Sequence, residues 1–283
     1  MQDHSQLLFP YAYNILGLAE DARDVVQDVL TKYYAESREG IDNEKAYLIK
    51  SVINHAINTK TRRRRTVQPD FWLPEPVATE SADTNVHLKD ILSYSLLVLL
   101  EKLNARERAV FILKESFDYA HDEIAGFLSI TEEHSRKLLS RAKTKLFKPG
   151  SSPGGSIRDQ RTNALLQSYI DAIRGRNLER LEGLLAADIA YYADSGGKLN
   201  LVAKICVGQA EVANLRIFAF HTYQLASTIR VAEINHQPAF LYYIGDKLVS
   251  CEIFDISPLN DKILHINFVL DPDKLKNLAV NSD

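Results

Sequence analysis

The chain has 283 residues, 34 Lys plus Arg against 37 Asp plus Glu, a net charge of −3 and two cysteines. Length and composition fit a soluble protein of two ordinary domains, and exclude a disulfide scaffold or a collagen-like, low-complexity chain. No run approaches the ~20 apolar residues of a membrane span. The start, MQDHSQLLFPYAYN, lacks the basic segment and long apolar run of an export signal. A reducing, cytoplasmic setting is therefore expected.

Residues 4–66 are expected to be helical throughout. Within Ala22–Tyr34, Val25, Val26, Val29, Leu30 and Tyr33 form an apolar face. Asp21, Asp24 and Asp28 share another face at i, i+3 and i+7. Like charges at that spacing cost a few tenths of a kcal/mol per pair, so the face is either solvated or meets a basic partner. In Ala46–Arg65, Leu48, Ile49, Val52, Ile53, Ala56 and Ile57 make the buried side. Lys50, Asn54 and Asn58 follow at i, i+4 and i+8, leading into Lys60, Arg62, Arg63, Arg64 and Arg65. Asn can pair with base edges, and Lys and Arg neutralise phosphates. The plainer alternative is a polar helix face ending in a basic loop.

Pro69, Pro74 and Pro76 mark a linker over Gln68–Asp83. Residues 86–147 read as a compact helical unit ending in two short helices. Asp122–Leu128 supplies Ile124, Ala125 and Leu128, and Ser129–Thr131 makes the break. Beyond it, Ser135, Leu139, Ala142 and Leu146 form a buried stripe with Thr131 as N-cap. From His134 to Lys148 there are six Lys or Arg residues and no acidic one. That layout is either a solvated basic face or a helix-turn-helix that enters the DNA major groove. A second linker, KPGSSPGGS, spans Lys148–Ser156.

After it the pattern changes to helices at Gln160–Arg174 and Leu178–Leu185. Strands are then expected at Ile189–Ala193, Tyr223–Glu233, Ala239–Ile244, Leu248–Ile256 and Ile263–Val269. Helices followed by strands predict an α+β domain. Asp194, His221, His236 and His265 are the acid–base candidates there, and no two of them have a recognisable catalytic spacing.

EDARDVVQDVLTKYY, with Asp24, Gln27 and Asp28, resembles the second conserved region of extracytoplasmic-function sigma factors of RNA polymerase. AYLIKSVINHAIN with its basic tail resembles the part of that region that reads the −10 element. The stretch LEKLNARERAVFILKESFDYAHDEIAGFLSITEEHSRKLLSRAKTKL resembles the fourth region, which binds the −35 element. Trp72-Leu73-Pro74-Glu75-Pro76 resembles the linker signature of the group with a fused SnoaL-like domain of nuclear-transport-factor-two fold. Asp194-Ser195-Gly196-Gly197-Lys198 and Asp271-Pro272-Asp273-Lys274-Leu275 resemble that group's two C-terminal motifs. Asp271 stands where Asn is usual, Ser195 replaces a glycine, and Asn58 stands where an acidic residue is common. No aromatic side chain occurs in residues 48–70.

The resemblance implies two all-α sigma domains, residues 1–66 and 86–148, with linkers at 67–85 and 149–156. A regulatory α+β cone at 157–283 follows, which tunes activity. Asp21, Asp24, Gln27 and Asp28 would contact core polymerase, whose β′ and β subunits are the expected protein partners. Lys50, Asn54, Asn58, Lys60 and Arg62–Arg65 would serve the −10 element, with promoter DNA bound both as duplex and melted. Glu132, Glu133, His134, Arg136, Lys137, Ser140 and Arg141 would serve the −35 element. No catalytic residue, metal or cofactor is expected, and whether the C-terminal domain takes a small ligand is left open. The rival readings are a SnoaL-type enzyme or ligand-binding domain tethered to a helix-turn-helix, and a one-component DNA-binding regulator. Neither accounts for the Asp24–Asp28 helix.

Overall fold

The computed structural model describes residues 4–35, 41–63, 72–79, 86–146, 160–196 and 206–278. They form two compact units. Among the described residues no helix is long and apolar enough to cross a membrane.

The helical unit holds α1 (His4–Leu16), α2 (Ala19–Ala35), α3 (Glu44–Arg63), α4 (Tyr94–Leu100), α5 (Ala105–Glu115), α6 (His121–Leu128) and α7 (Glu132–Leu146). A 3₁₀ turn, Val86–Asp90, precedes α4. The apolar faces expected on α2 and α3 are buried, and α1 packs on both. Asn104 starts α5 with a reciprocal capping box: its Oδ1 accepts the Glu107 amide (2.9 Å), and Glu107 Oε2 accepts the Asn104 amide (3.1 Å). The two helical parts expected from sequence close into this one unit. The Tyr11 and Tyr119 hydroxyls bond at 2.9 Å, and Asn54 Nδ2 donates to the Phe127 carbonyl at 2.8 Å.

In the second unit α8 (Gln160–Arg174), α9 (Leu178–Leu184) and α10 (Gln209–Ala219) cover one face of a six-stranded sheet. The strands are β1 (Leu185–Asp194), β2 (Cys206–Val207), β3 (Thr228–Ile234), β4 (Gln237–Ile244), β5 (Lys247–Ile256) and β6 (Ile263–Val269), in the order β2-β1-β6-β5-β4-β3. Only β1 and β6 run parallel. Irregularities in β1, β4–β5 and β5–β6 curve the sheet. Alternation along the strands sends Tyr191, Phe240, Tyr242, Phe254, Ile266 and Phe268 into the concave core. A short helix, α11 (Pro272–Leu275), follows. This is the expected α+β cone.

Several elements differ from expectation, strand β2 among them. Helix α10 was not foreseen. The strand expected from Tyr223 begins at Thr228, because Phe220–Gln224 is a π-helical extension of α10. Segment 72–79, expected as part of a linker between the two helical domains, belongs to the sheet unit.

Candidate functional site

The helix-turn-helix is built as the sequence suggests. Ser129 ends α6 in the left-handed region (φ 52°), and Thr131 Oγ1 accepts the His134 amide at 3.2 Å. The buried stripe of α7 is Ser135, Leu138, Ala142 and Leu146, so Leu138 takes the place expected for Leu139, which is half-buried. His121 Nδ1 and Ser135 Oγ lie 2.8 Å apart, tying α6 to α7. On the other side Glu132, Glu133, His134, Arg136, Lys137, Ser140 and Arg141 are all exposed. Arg136 pairs with Glu132 one turn back, and Lys137 with Glu133 at 2.5 Å. Lys143 and Lys145 reach back to Glu115 and Glu107 of α5, at 2.9 and 2.7 Å.

On α2, Asp24, Gln27 and Asp28 are exposed. Asp21 is half-buried and meets Arg63 Nη1 at 2.5 Å. The basic side of α3 divides three ways. Lys50, Asn58, Arg62 and Arg63 are exposed. Asn54 spends its amide on the carbonyls of Lys50 and Phe127, both at 2.8 Å. Lys60, expected to hold phosphate, is buried instead: its ammonium bonds the Leu16 carbonyl and both carboxylate oxygens of Glu101, each at 3.1 Å. A cation so placed satisfies an internal carboxylate, not a solvated polyanion. Arg64 and Arg65 lie outside the described residues.

Between α2 and α3 runs a groove of about 590 Å³ lined by Val29, Lys32, Tyr47, Ser51, His55, Asn58 and Arg62. Two cations, three hydrogen-bonding side chains and an aromatic ring share it. Of the described residues expected to serve the −10 element, Asn58 and Arg62 line it. Tyr47 stands one residue before the stretch that has no aromatic, and 47, 51, 55, 58 and 62 are spaced as one helix stripe. That spacing is the signal the sequence offered for the groove.

The linker signature and the two C-terminal motifs meet. Asp194 is the hub: Oδ2 accepts the Leu73 amide (2.8 Å) and the Lys274 ammonium (2.6 Å), while Oδ1 accepts the Gly196 amide (2.8 Å). Lys274 also donates to the Leu73 carbonyl at 2.6 Å and lies 4.4 Å from the centre of the Trp72 ring. Asp271 caps α11 through the Asp273 amide, with Pro272 at the first turn and Leu275 buried. Gly196 has φ +64°, and a Cβ there would lie 2.4 Å from Asp271 Oδ2, so only glycine fits. Pro74, Glu75 and Pro76 are buried, with Glu75 taking the Asn277 amide at 2.6 Å. Gly197 and Lys198 lie outside the described residues.

Further along the segment, Val77 and Asn235 exchange two bonds at 2.9 Å, and the Thr79 amide donates to the Glu233 carbonyl at 3.0 Å. Asn235 and His236 form a two-residue hairpin turn, both at positive φ. Asn235, Glu233 and Asn277 were not foreseen from the sequence.

Inside the cone, Arg216 is fully buried against Glu252, with Nε–Oε1 at 2.8 Å and Nη2–Oε2 at 2.9 Å. Tyr169, Gln224 and Tyr242 complete the guanidinium's bonds. Burial and the Glu252 charge push the Tyr169 and Tyr242 phenols well up. Burial works against the Arg216 charge, but Glu252 and the surrounding phenols hold its proton on. The acid–base candidates are dispersed: His221 faces the Ile173 carbonyl, His236 lies by Glu233, His265 by Asp255, and Asp194 is in the linker cluster.

Two protein families match the chain: Sigma-70 region 2 over residues 1–66 and Sigma-70, region 4 over residues 93–146. The chain is 25% identical over 282 residues to the probable ECF RNA polymerase sigma factor SigI of Mycobacterium tuberculosis, covering 97% of this chain and 93% of that one. It is 26% identical over 214 residues to ECF RNA polymerase sigma factor SigJ of the same organism, covering 73% and 68%. The crystal structure of M. tuberculosis SigJ superposes with a TM-score of 0.75 at 23% identity, covering 96% of this chain and 95% of that one. With Sigma-70 region 2 and region 4 in order and an α+β cone after them, the chain has the two modules of a sigma factor and is similar over nearly its whole length to extracytoplasmic-function sigma factors.

Proposed function

We propose that this chain is an extracytoplasmic-function sigma factor with a fused SnoaL-like regulator, that it works in the cytoplasm, and that it divides promoter reading between α7 and the α2–α3 groove. The carrying observation is the groove itself. Tyr47 offers a stacking face, Ser51, His55 and Asn58 offer groups for a base edge, and Lys32 and Arg62 suit the flanking phosphates. An unstacked base of the −10 element fits that set. Exposed α7 takes the −35 duplex, with Arg136, Lys137 and Arg141 as cations and Glu132 or Glu133 able to accept from cytosine N4. The acidic face of Asp24, Gln27 and Asp28 meets β′ of core polymerase, and β is the second polymerase partner. The cone is a regulator that acts by holding the linker through Asp194 and Lys274.

Run-off transcription with core polymerase on a promoter library tests this. The full chain should initiate from a subset of promoters. Asn58→Ala and His55→Ala should relax −10 base preference and leave −35 preference unchanged. No initiation by either the full or a C-terminally truncated chain would defeat the reading.

A further inference from the structure

Strand β3 closes one end of the sheet, and its outer edge is only partly used. In a two-residue hairpin the residues flanking the turn bond each other. Ile234, Ala232, Arg230 and Thr228 therefore turn their backbone groups toward β4. Asn235, Glu233, Val231 and Ile229 turn theirs outward. The first two are taken by the linker: the Asn235 amide donates to the Val77 carbonyl at 2.9 Å, and the Thr79 amide to the Glu233 carbonyl at 3.0 Å. Between them Ala78 bridges Ile234 antiparallel. Among the described residues no backbone bond reaches Ile229 or Val231 on that side.

This open stretch lacks the usual protection of an edge. The opposite edge strand, β2, is blunted by having two residues. Between β3 and β4 the register has no bulge, and β3 holds no proline or lysine. Arg230 is drawn over β4, 4.6 Å from the centre of the Tyr243 ring, and so does not guard the edge. Val231 is 62% exposed. Where the chain enters β3 from α10, Phe218, Tyr223 and Leu225 are also exposed, with the first two rings edge to face at 6.5 Å. An apolar corner beside unpaired backbone marks a contact surface.

We propose that the Ile229–Val231 edge takes an extended segment of a partner protein as an added strand, apolar on one face and acidic on the other. The segment runs antiparallel to β3, continuing the line that Ala78 starts. Its apolar side chains lie on the face of Ile229 and Val231, and its carboxylates on the opposite face beside Arg230. Backbone bonds supply the hold, and alternate side chains supply the selectivity. A second copy of the chain fits poorly. Pairing β3 with β3 about Val231 would set Ile229 against Glu233 of the other copy, whose carbonyl Thr79 already holds. The chain's own residues 80–85, Glu-Ser-Ala-Asp-Thr-Asn, offer no apolar side chain larger than alanine.

The test uses the full chain and two capped peptides, Glu-Val-Glu-Val-Glu-Val and the same with Lys for Glu, each titrated to about 1 mM. Hydrogen exchange followed by NMR should show the Ile229 and Val231 amides fast in the free chain and at least about tenfold slower with the acidic peptide. The lysine peptide should protect them less, and an acidic peptide N-methylated on its valines should not protect them. Val231→Pro removes one open amide at an edge position that accepts proline. It should abolish peptide protection of Ile229 and leave the melting temperature unchanged. If that variant unfolds, the N-methylated peptide decides. Equal protection by the N-methylated or the lysine peptide, or none by the acidic one, overturns the proposal. So does slow exchange of both amides in the free chain, which would mean that the chain covers its own edge. A mass that rises with concentration and falls in Val231→Pro would assign the edge to a second copy and overturn it too.

Discussion

Lys274→Met should release the linker from the cone. Lys274 and Asp194 are both buried, with side-chain exposures of 6% and 4%. Their direct attraction at 2.6 Å is about 6 kcal/mol at an effective dielectric near 20, before desolvation is charged against it. Removing one partner of such a buried pair typically costs about 3–5 kcal/mol, because the other charge stays behind uncompensated. Methionine keeps much of the packing against Trp72 but strands the Asp194 carboxylate and the Leu73 carbonyl. If about 3 kcal/mol of that loss falls on linker docking, the opening equilibrium shifts about a hundredfold.

Native-state hydrogen exchange reads this residue by residue. The Leu73 amide, which donates to Asp194, should exchange about a hundred times faster than in the parent chain. The Thr79 amide, held by the separate bond to Glu233, should accelerate less. Amides of β5 in the sheet interior should change least. Unchanged Leu73 exchange would refute the clamp. An equal acceleration of Leu73 and β5 would show that the linker never opens apart from the domain, and would refute its role as a movable part.

Gly196→Ala forces a Cβ onto Asp271 at positive φ, costing at least about 1–2 kcal/mol for the backbone alone; a lower melting temperature with faster Leu73 exchange checks it. Glu252→Gln leaves the Arg216 cation buried without its counter-charge. Calorimetry should show the cone's transition falling by of order 10 °C. Burial opposes ionisation of Glu101, yet Arg108 and Lys60 hold its carboxyl below the ordinary value of 4.5. Its folded-state pKa is thus depressed, so its contribution is full above the unfolded pKa and is lost as pH falls through the folded one. Acid titration of stability should show that limb steepest in the parent and flattened in Glu101→Gln. Arg141→Ala, on the exposed face of α7, should reduce the salt slope of promoter binding by the polymerase complex by about one counterion.

The helices and most strands were legible because their apolar spacing is a local property of the chain. Helix α10 was not, since its buried stripe of Val212, Ala213 and Arg216 includes an arginine, which periodicity counts as surface. The same blindness affects Lys60 and Asn54. Periodicity says that a residue leaves its own module's core, but not whether water, DNA or another module receives it. Glu101 and Arg108 gave no warning either, because their partners lie 41 and 94 residues away, at Lys60 and Asn14. The linker motifs were visible as a resemblance, but their meeting at Asp194 depends on a sheet register that no local pattern encodes. Tyr47 was missed only because the helix was read from Leu48 onward for aromatic content, though its stripe continues back through that residue.

The linker clamp is built from buried charge, which suits a contact meant to be undone. A well-packed apolar interface is often as stable as a buried ion pair of similar volume, or more so. The difference lies in the open state. When an apolar interface parts, its surface meets water at a cost of roughly 25 cal/mol per Å². When Lys274 leaves Asp194, each ion recovers the hydration that it gave up on docking. The docked linker is therefore specific in geometry but modest in net stability. Replacing the Asp194–Lys274 pair with apolar residues of matched volume should leave a folded cone whose linker opens less readily, read as slower exchange of the Leu73 amide.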